Sequence, residues 1–381
     1  VYQGAKSHKS FLNMTITLVG WNCRKNLGDD VMTDVLIDNF AKKHPGALFR
    51  IVGDQKSLPV FQSGINHPSI QIKAIRNFDK LNSIPIVRTL FNRIYIAILI
   101  ALKSDIIIIG GGTIYHSTSL TRFYQQIAGL KNRFNAKCKI YSIGVSIGPF
   151  KTDDELSAFN SFKPNIDFFS VRDDRSIALL GKSERASVAP DLALSYPFTK
   201  PFNENKENEI AIILRQGHID DQTSTFLKDF ILGFNKQFPE YNIKFYSFCE
   251  YFLPSENDSL AIERLIKWAN FGDVPVSIVK YDNNPHAFCE LLSKSKLIVS
   301  VRLHGAILGY ALKVPFFMIS YHRKCTDFFN ELKLDKRFLI DVNQPAEVYL
   351  SEAALVLDDA SVFKFKDDYG HLSLNHFKIN G

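Results

Sequence analysis

The sequence predicts an α/β fold in which two Rossmann-like domains face each other across a cleft. Three observations carry this. Short β-branched runs alternate with longer helical patterns along most of the chain, the signature of parallel strands joined by crossover helices. The alternation breaks at residues 197–209 (PFTKPFNENKENE), rich in proline, asparagine and charge, and resumes beyond them, as at an interdomain linker. At 381 residues the chain is too long for one ordinary core and comfortable for two.

Taken in order, residues 15–20 (TITLVG) read as a strand and 30–43 as a helix with Asp29 or Asp30 near its cap. Residues 94–102 are apolar but about half the length needed to cross a bilayer. Flanked by Arg88, Arg93 and Lys103, they read as a buried helix. Residues 105–109 (DIIII) are apolar at every position after the first, as in a strand covered on both faces. Helix 120–134, strand 140–143, helix 153–162, strand 167–171 and helix 173–180 follow. Past the break come strands 210–214, 243–247, 276–279, 297–301 and 315–319. Helices 223–238, 258–270, 286–294 and 305–312 lie between them. Helix 346–357 and a polar tail close the chain. The expected units are therefore domains 14–196 and 210–345, the linker 197–209, and a C-terminal segment 346–381 that packs back on the first domain. The polar segment before Met14 reads as a disordered lead, with MTITLVG as a natural start.

Composition is ordinary for a folded protein, 46% apolar and 22% charged. The net charge of +7 is modest and no basic block occurs. A nucleic-acid stripe is unsupported, while attraction of a small anion or an acidic membrane surface fits. Five widely spaced cysteines suggest neither a disulfide framework nor a zinc site, and Cys138 and Cys289 read as core residues. No secretory signal, Walker loop, HExxH or GxSxG motif is present, and the aspartates are not spaced as a metal site.

Sheets of this kind hold ligands outside the carboxyl ends of their strands, and the distinctive segments fall there. After the first strand, GWNCRKNLGDD offers Asn26, Gly28, Asp29 and Asp30 beside a helix start suited to an anion or a sugar oxygen. GGGT follows DIIII and places Gly111, Gly112 and Thr113 for close ligand approach, with His116 just beyond. SIGVSIGP is a glycine-bearing strand end. SVRDDRS supplies Arg172, which suits a substrate anion or a structural ion pair, and APD supplies Asp191. In the second half, LRQGH delivers Arg215 to a strand end, where a guanidinium forks onto carboxylate or phosphate. SVRLHG sets Arg302, Leu303 and His304 at a strand end before a helix, and SYHRK adds Tyr321, His322 and Lys324 at the next one.

In order and spacing these segments resemble the polysaccharide pyruvyl transferase family, from GWNCRKNLGDD to about Asp341. The resemblance implies a fold similar to GT-B glycosyltransferases. It implies transfer of the pyruvyl group of phosphoenolpyruvate to two sugar hydroxyls as a ketal, with release of phosphate and no further cofactor or metal. It assigns Arg215, Arg302, Leu303 and Lys324 to phosphoenolpyruvate and His304 to proton donation. The remaining cleft residues go to the acceptor sugar, on a polysaccharide or a lipid-linked precursor. It also implies an intracellular protein that engages no nucleic acid, with peripheral membrane contact and homo-oligomer formation left open. A GT-B-type glycosyltransferase with a nucleotide-sugar donor is the second reading, and a non-catalytic sugar-binding protein the third.

Overall fold

The computed structural model describes residues 14–53, 61, 71–74, 85–181, 185–200, 202, 205–321, 323–366 and 369–379. Two parallel sheets organise the chain. The first holds β1 (Thr15–Val19), β2 (Leu48–Val52), β3 (Gln71–Ala74), β4 (Ile106–Thr113), β5 (Lys139–Ser146), β6 (Phe168–Val171) and β7 (Ala186–Val188), in spatial order β3-β2-β1-β4-β5-β6-β7. The second holds β8 (Glu209–Ile213), β9 (Asn242–Ser247), β10 (Val276–Lys280), β11 (Leu297–Ser300), β12 (Phe316–Ile319) and β13 (Leu339–Ile340), in order β10-β9-β8-β11-β12-β13. Every pairing is parallel. In each sheet the order reverses once, between β1 and β4 and between β8 and β11. Those switch points are where such sheets bind ligands.

The central strands are apolar at successive positions because helices cover both their faces. Ile106, Ile107, Ile108 and Ile109 are buried, as are Ile210, Ile212, Leu297 and Ile298. Helix Pro85–Lys103 departs from the fully buried helix expected. Ala97, Ile100 and Ala101 face the core, while Ile94 and Leu102 are exposed. Among the described residues no helix is long and apolar enough to cross a membrane. All five cysteines are buried.

The end of the chain binds both halves. Helix Ala346–Asp358 packs on helix Asp221–Gln237, with the Tyr349 ring edge-on to Phe226 at 5.6 Å. The tail then reaches the first sheet. His376, fully buried, accepts from Ser170 Oγ at 2.5 Å through Nδ1 and donates from Nε2 to the Pro190 carbonyl at 2.7 Å. Burial pushes its pKa down to about 4.

Two helix starts differ from expectation, and both matter at the cleft. The first helix spans Leu27–Lys43 with Asn26 as its cap residue, so Asp29 and Asp30 lie in its first turn. The helix after β11 begins at Leu303 with Arg302 as its cap residue. Gly305 packs tightly, since a Cβ there would sit 2.1 Å from Ser300 Oγ.

Candidate active site

The β1 loop joins the two halves. Leu27 N–H donates to the Phe248 carbonyl and Glu250 N–H to the Lys25 carbonyl, both at 2.9 Å, and Asn26 bridges to Cys249. Asp30, expected in the cleft, is instead a buried tie. Its carboxylate accepts from Cys23 N–H and from the Tyr281 hydroxyl of the other half, both at 2.8 Å. Burial pushes its pKa up to about 8.

Gly28 lies hard against the other half. A Cβ there would stand 2.2 Å from His304 Nδ1 and 2.5 Å from its Cγ. Any side chain must displace the ring. We expect Gly28→Ala to cost about 1–3 kcal/mol of stability by overpacking. Activity should fall roughly 10²-fold, the scale of a misplacement of about 1 Å. A variant with wild-type turnover and an unmoved imidazole NMR signal would contradict this.

Around that contact a coupled set of charges converges. Arg172 ion-pairs through Nη1 with Asp191 and donates from Nε to Ser146 Oγ at 2.7 Å. Asp191 also accepts from Ala193 N–H at 3.0 Å, and the tail's Ser373 hydroxyl holds its carbonyl at 2.9 Å. Burial alone would raise the Asp191 pKa, but Arg172 and His304 outweigh it and hold the carboxyl below its usual range. Arg302 forks onto Asp258, Nε to Oδ2 at 2.5 Å and Nη2 to Oδ1 at 2.8 Å. Although burial opposes its charge, Asp258 holds the guanidinium protonated. Arg215 hydrogen-bonds the Tyr321 hydroxyl through Nη1 and lies over that ring, 4.6 Å from its centroid. Lys324 donates to Thr113 Oγ1 across the cleft at 2.7 Å. Burial, then Arg172, pulls its pKa down to about 8.

Burial shifts two further groups in opposite directions. Asp29 accepts from Asn26 Nδ2 at 2.8 Å, and its Oδ1 lies 3.6 Å from where a Cβ on Gly112 would sit. Burial in the cleft raises its pKa to about 7, against the pull of Arg302 and Arg172. The His304 pKa is driven down to about 4, chiefly by burial, and its Nε2 is buried with no hydrogen-bond partner among the described residues. It is a neutral imidazole at physiological pH. A cavity of about 490 Å³ opens beside the Arg172–Asp191 pair, lined from both halves by Ser146, Arg172, Asp191, Leu303, Lys324 and Glu331 among others.

Of the other residues singled out from the sequence, Gly111 packs against Met32. His116 is exposed and lines neither this cavity nor the one beside β8. His322 lies outside the described residues. Sequence reasoning missed Asp258, Tyr281, Ser373 and His376. Among the described residues, no cluster of histidine, cysteine, aspartate or glutamate could hold a metal ion.

The profile of the polysaccharide pyruvyl transferase family matches residues 26–323, from the cap of the first helix to Arg323. The chain belongs to the polysaccharide pyruvyl transferase family. No curated protein sequence matches it. Among solved structures, it is similar to UDP-GlcNAc 2-epimerase from Methanocaldococcus jannaschii at 11% identity and a TM-score of 0.64, over 96% of this chain and 99% of that one. UDP-GlcNAc 2-epimerase from Neisseria meningitidis, bound to UDP-GlcNAc, aligns at 13% identity and a TM-score of 0.60, over 96% and 99% of the two chains. At such identities the likeness is one of fold, an α/β architecture of two Rossmann-like units flanking a cleft, as in GT-B enzymes.

These findings correct the activity expected for this family member. The architecture is shared end to end with enzymes of UDP-sugars, and the phosphoenolpyruvate scheme asks for groups the cleft commits elsewhere. Arg302, assigned to the donor, is neutralised by Asp258. His304, assigned to donate a proton, is held neutral by burial. Phosphoenolpyruvate-dependent pyruvyl transfer is therefore withdrawn as the reading of this site.

Proposed function

We propose that the protein is a GT-B-type transferase that takes a nucleotide-activated sugar as donor. The observation that carries this is the charge balance of the cleft. Arg172 and Arg302 are each neutralised by a carboxylate. Arg215, at the β8 end of the second switch point, has no ion-pair partner among the described residues. It is the cation that a diphosphate can claim, and Lys324 carries its charge into the same site up to about pH 8. Asp29, with a pKa near 7, is suited to take a proton from an attacking hydroxyl. In the reaction an acceptor hydroxyl loses its proton to Asp29 as its oxygen bonds the sugar's anomeric carbon. The bond from that carbon to the phosphate oxygen breaks, and the nucleoside diphosphate leaves with the electron pair toward Arg215. The similar structures are UDP-GlcNAc 2-epimerases, one of them bound to UDP-GlcNAc, a donor of this class, and the cavity between the halves gives room for an acceptor.

The test is calorimetric titration with UDP, GDP and dTDP sugars, followed by assay of nucleoside diphosphate release with sugar acceptors. Binding and release with at least one donor are expected. If no nucleotide sugar binds, the reading fails. Arg215→Ala should weaken donor binding by about 2–5 kcal/mol, the scale for losing one partner of a buried charge contact. Unchanged donor affinity would remove Arg215 from the phosphate site.

A further inference from the structure

A second cavity, about 770 Å³, lies on the far side of Tyr321 in the second half, lined by Gln216, Asp220, Asp221, Arg264, Trp268 and Tyr321 among others. We propose that it is a carbohydrate subsite that docks a neutral saccharide chain of the acceptor. This rests on the transferase reading above and adds to it the class of acceptor.

The chemistry of the walls selects the occupant. Helix Asp221–Gln237 begins here, and its free N–H groups would ordinarily favour an anion. Its own acids occupy that end. Asp220 Oδ1 accepts from Thr223 N–H at 2.8 Å, and Asp221 stands in the first turn. The hydrogen bonds to Thr223 hold the Asp220 carboxyl below its usual pKa. A phosphate or an acidic glycan would meet two carboxylates at close quarters. An apolar ligand would strip water from the two carboxylates and from Ser320 without replacing it.

A polyol satisfies both kinds of wall. Its hydroxyls donate to the carboxylates, and its C–H faces lie on aromatic rings. Trp268 is 53% exposed, although large apolar side chains favour burial, and Lys228 Nζ stands 5.6 Å from its ring centroid. The His218 and Tyr321 rings meet at the inner wall with centroids 4.5 Å apart, tilted 52° to each other. The wall is pre-organised. Arg264 Nε donates to the Leu260 carbonyl at 3.1 Å and Nη2 to Gln216 Oε1, while Gln216 Nε2 donates to the Pro254 carbonyl at 3.0 Å. Tyr321 joins this cavity to the reaction centre, its ring on one side and its hydroxyl on Arg215 on the other. A chain lying along the cavity would run toward the cleft in which Asp29 waits.

Two tryptophans, Trp21 and Trp268, are present, so in a Trp21→Phe background the emission is that of Trp268 alone and reports the cavity. The full-length protein would be titrated with linear neutral oligosaccharides of glucose, galactose, mannose and N-acetylglucosamine, with and without UDP, and separately with inorganic phosphate. At least one oligosaccharide should shift the emission saturably, and Trp268→Ala should weaken its binding at least tenfold by calorimetry. In turnover, the same variant should raise the acceptor KM at least tenfold while kcat at saturating acceptor changes less than twofold. The proposal is overturned if no oligosaccharide shifts the emission, if phosphate shifts it more than any sugar, or if Trp268→Ala leaves oligosaccharide binding intact. Oligosaccharide binding without any nucleotide-sugar binding would instead sink the donor reading and leave the cavity's assignment standing.

Discussion

Asp258→Ala should destabilise the protein by about 3–5 kcal/mol, the cost of stranding a buried charge. The carboxylate is fully buried and serves four donors: Arg302 Nε and Nη2, and the backbone N–H groups of Gln216 and Cys249, both at 3.0 Å. The Arg302 side chain is only 14% exposed, so water cannot replace the lost partner. Asp258→Asn should recover part of the loss, since its oxygen can still accept, but the guanidinium stays uncompensated. Replacing both ends, as Asp258→Ala with Arg302→Met, should return most of the stability because two desolvation costs vanish together. Urea denaturation of the four proteins measures this. A loss below about 1 kcal/mol in Asp258→Ala would mean that the pair is solvated and that Arg302 is open to a ligand after all.

Much of this architecture was legible because buried parallel strands leave little choice of residue. The run 106–109 and the strands around 210–214 and 297–301 are apolar at successive positions. Some of the outer strands were not legible. β2 reads LFRIV, with Arg50 inside the strand and alternate positions only half-buried, and β13 has two residues. Helix starts slipped by two or three residues because Asn26 and Arg302 cap without the side-chain hydrogen bond that a sequence pattern anticipates.

The site divided the same way. The rule that ligands gather at strand ends brought Arg172, Asp191, Arg215, Arg302, His304 and Lys324 to one cleft. What those groups do depends on partners that sequence distance hides. Arg302 finds Asp258 44 residues away, Ser170 finds His376 at a separation of 206, and Asp30 finds Tyr281 at 251. A guanidinium at a strand end thus looked available to a donor, and only packing showed that it was already matched.

Asp29→Asn should lower the rate of the chemical step by about 10²–10⁴-fold, the usual scale for a lost general base. The carboxylate is held by Asn26 on one oxygen and faces the glycine turn with the other, so the amide should fit without disturbing the fold. The sign of the pH dependence follows from Asp29 and Lys324. Asp29, raised by burial to about 7, must be ionised to accept a proton, so activity rises as pH climbs through 7. Lys324, lowered by burial and by Arg172 to about 8, must be protonated to hold the donor phosphates, so activity falls as pH climbs through 8. The profile of kcat/KM, which reports the free enzyme, should be a narrow bell between those values. Lys324→Arg, charged throughout the range, should lose the alkaline limb and keep the acid one. Asp29→Asn should lose the acid limb and keep the alkaline one. An acid limb that survives in Asp29→Asn would move the base elsewhere in the cleft. Single-turnover rates within threefold of wild type would remove Asp29 from the chemistry altogether.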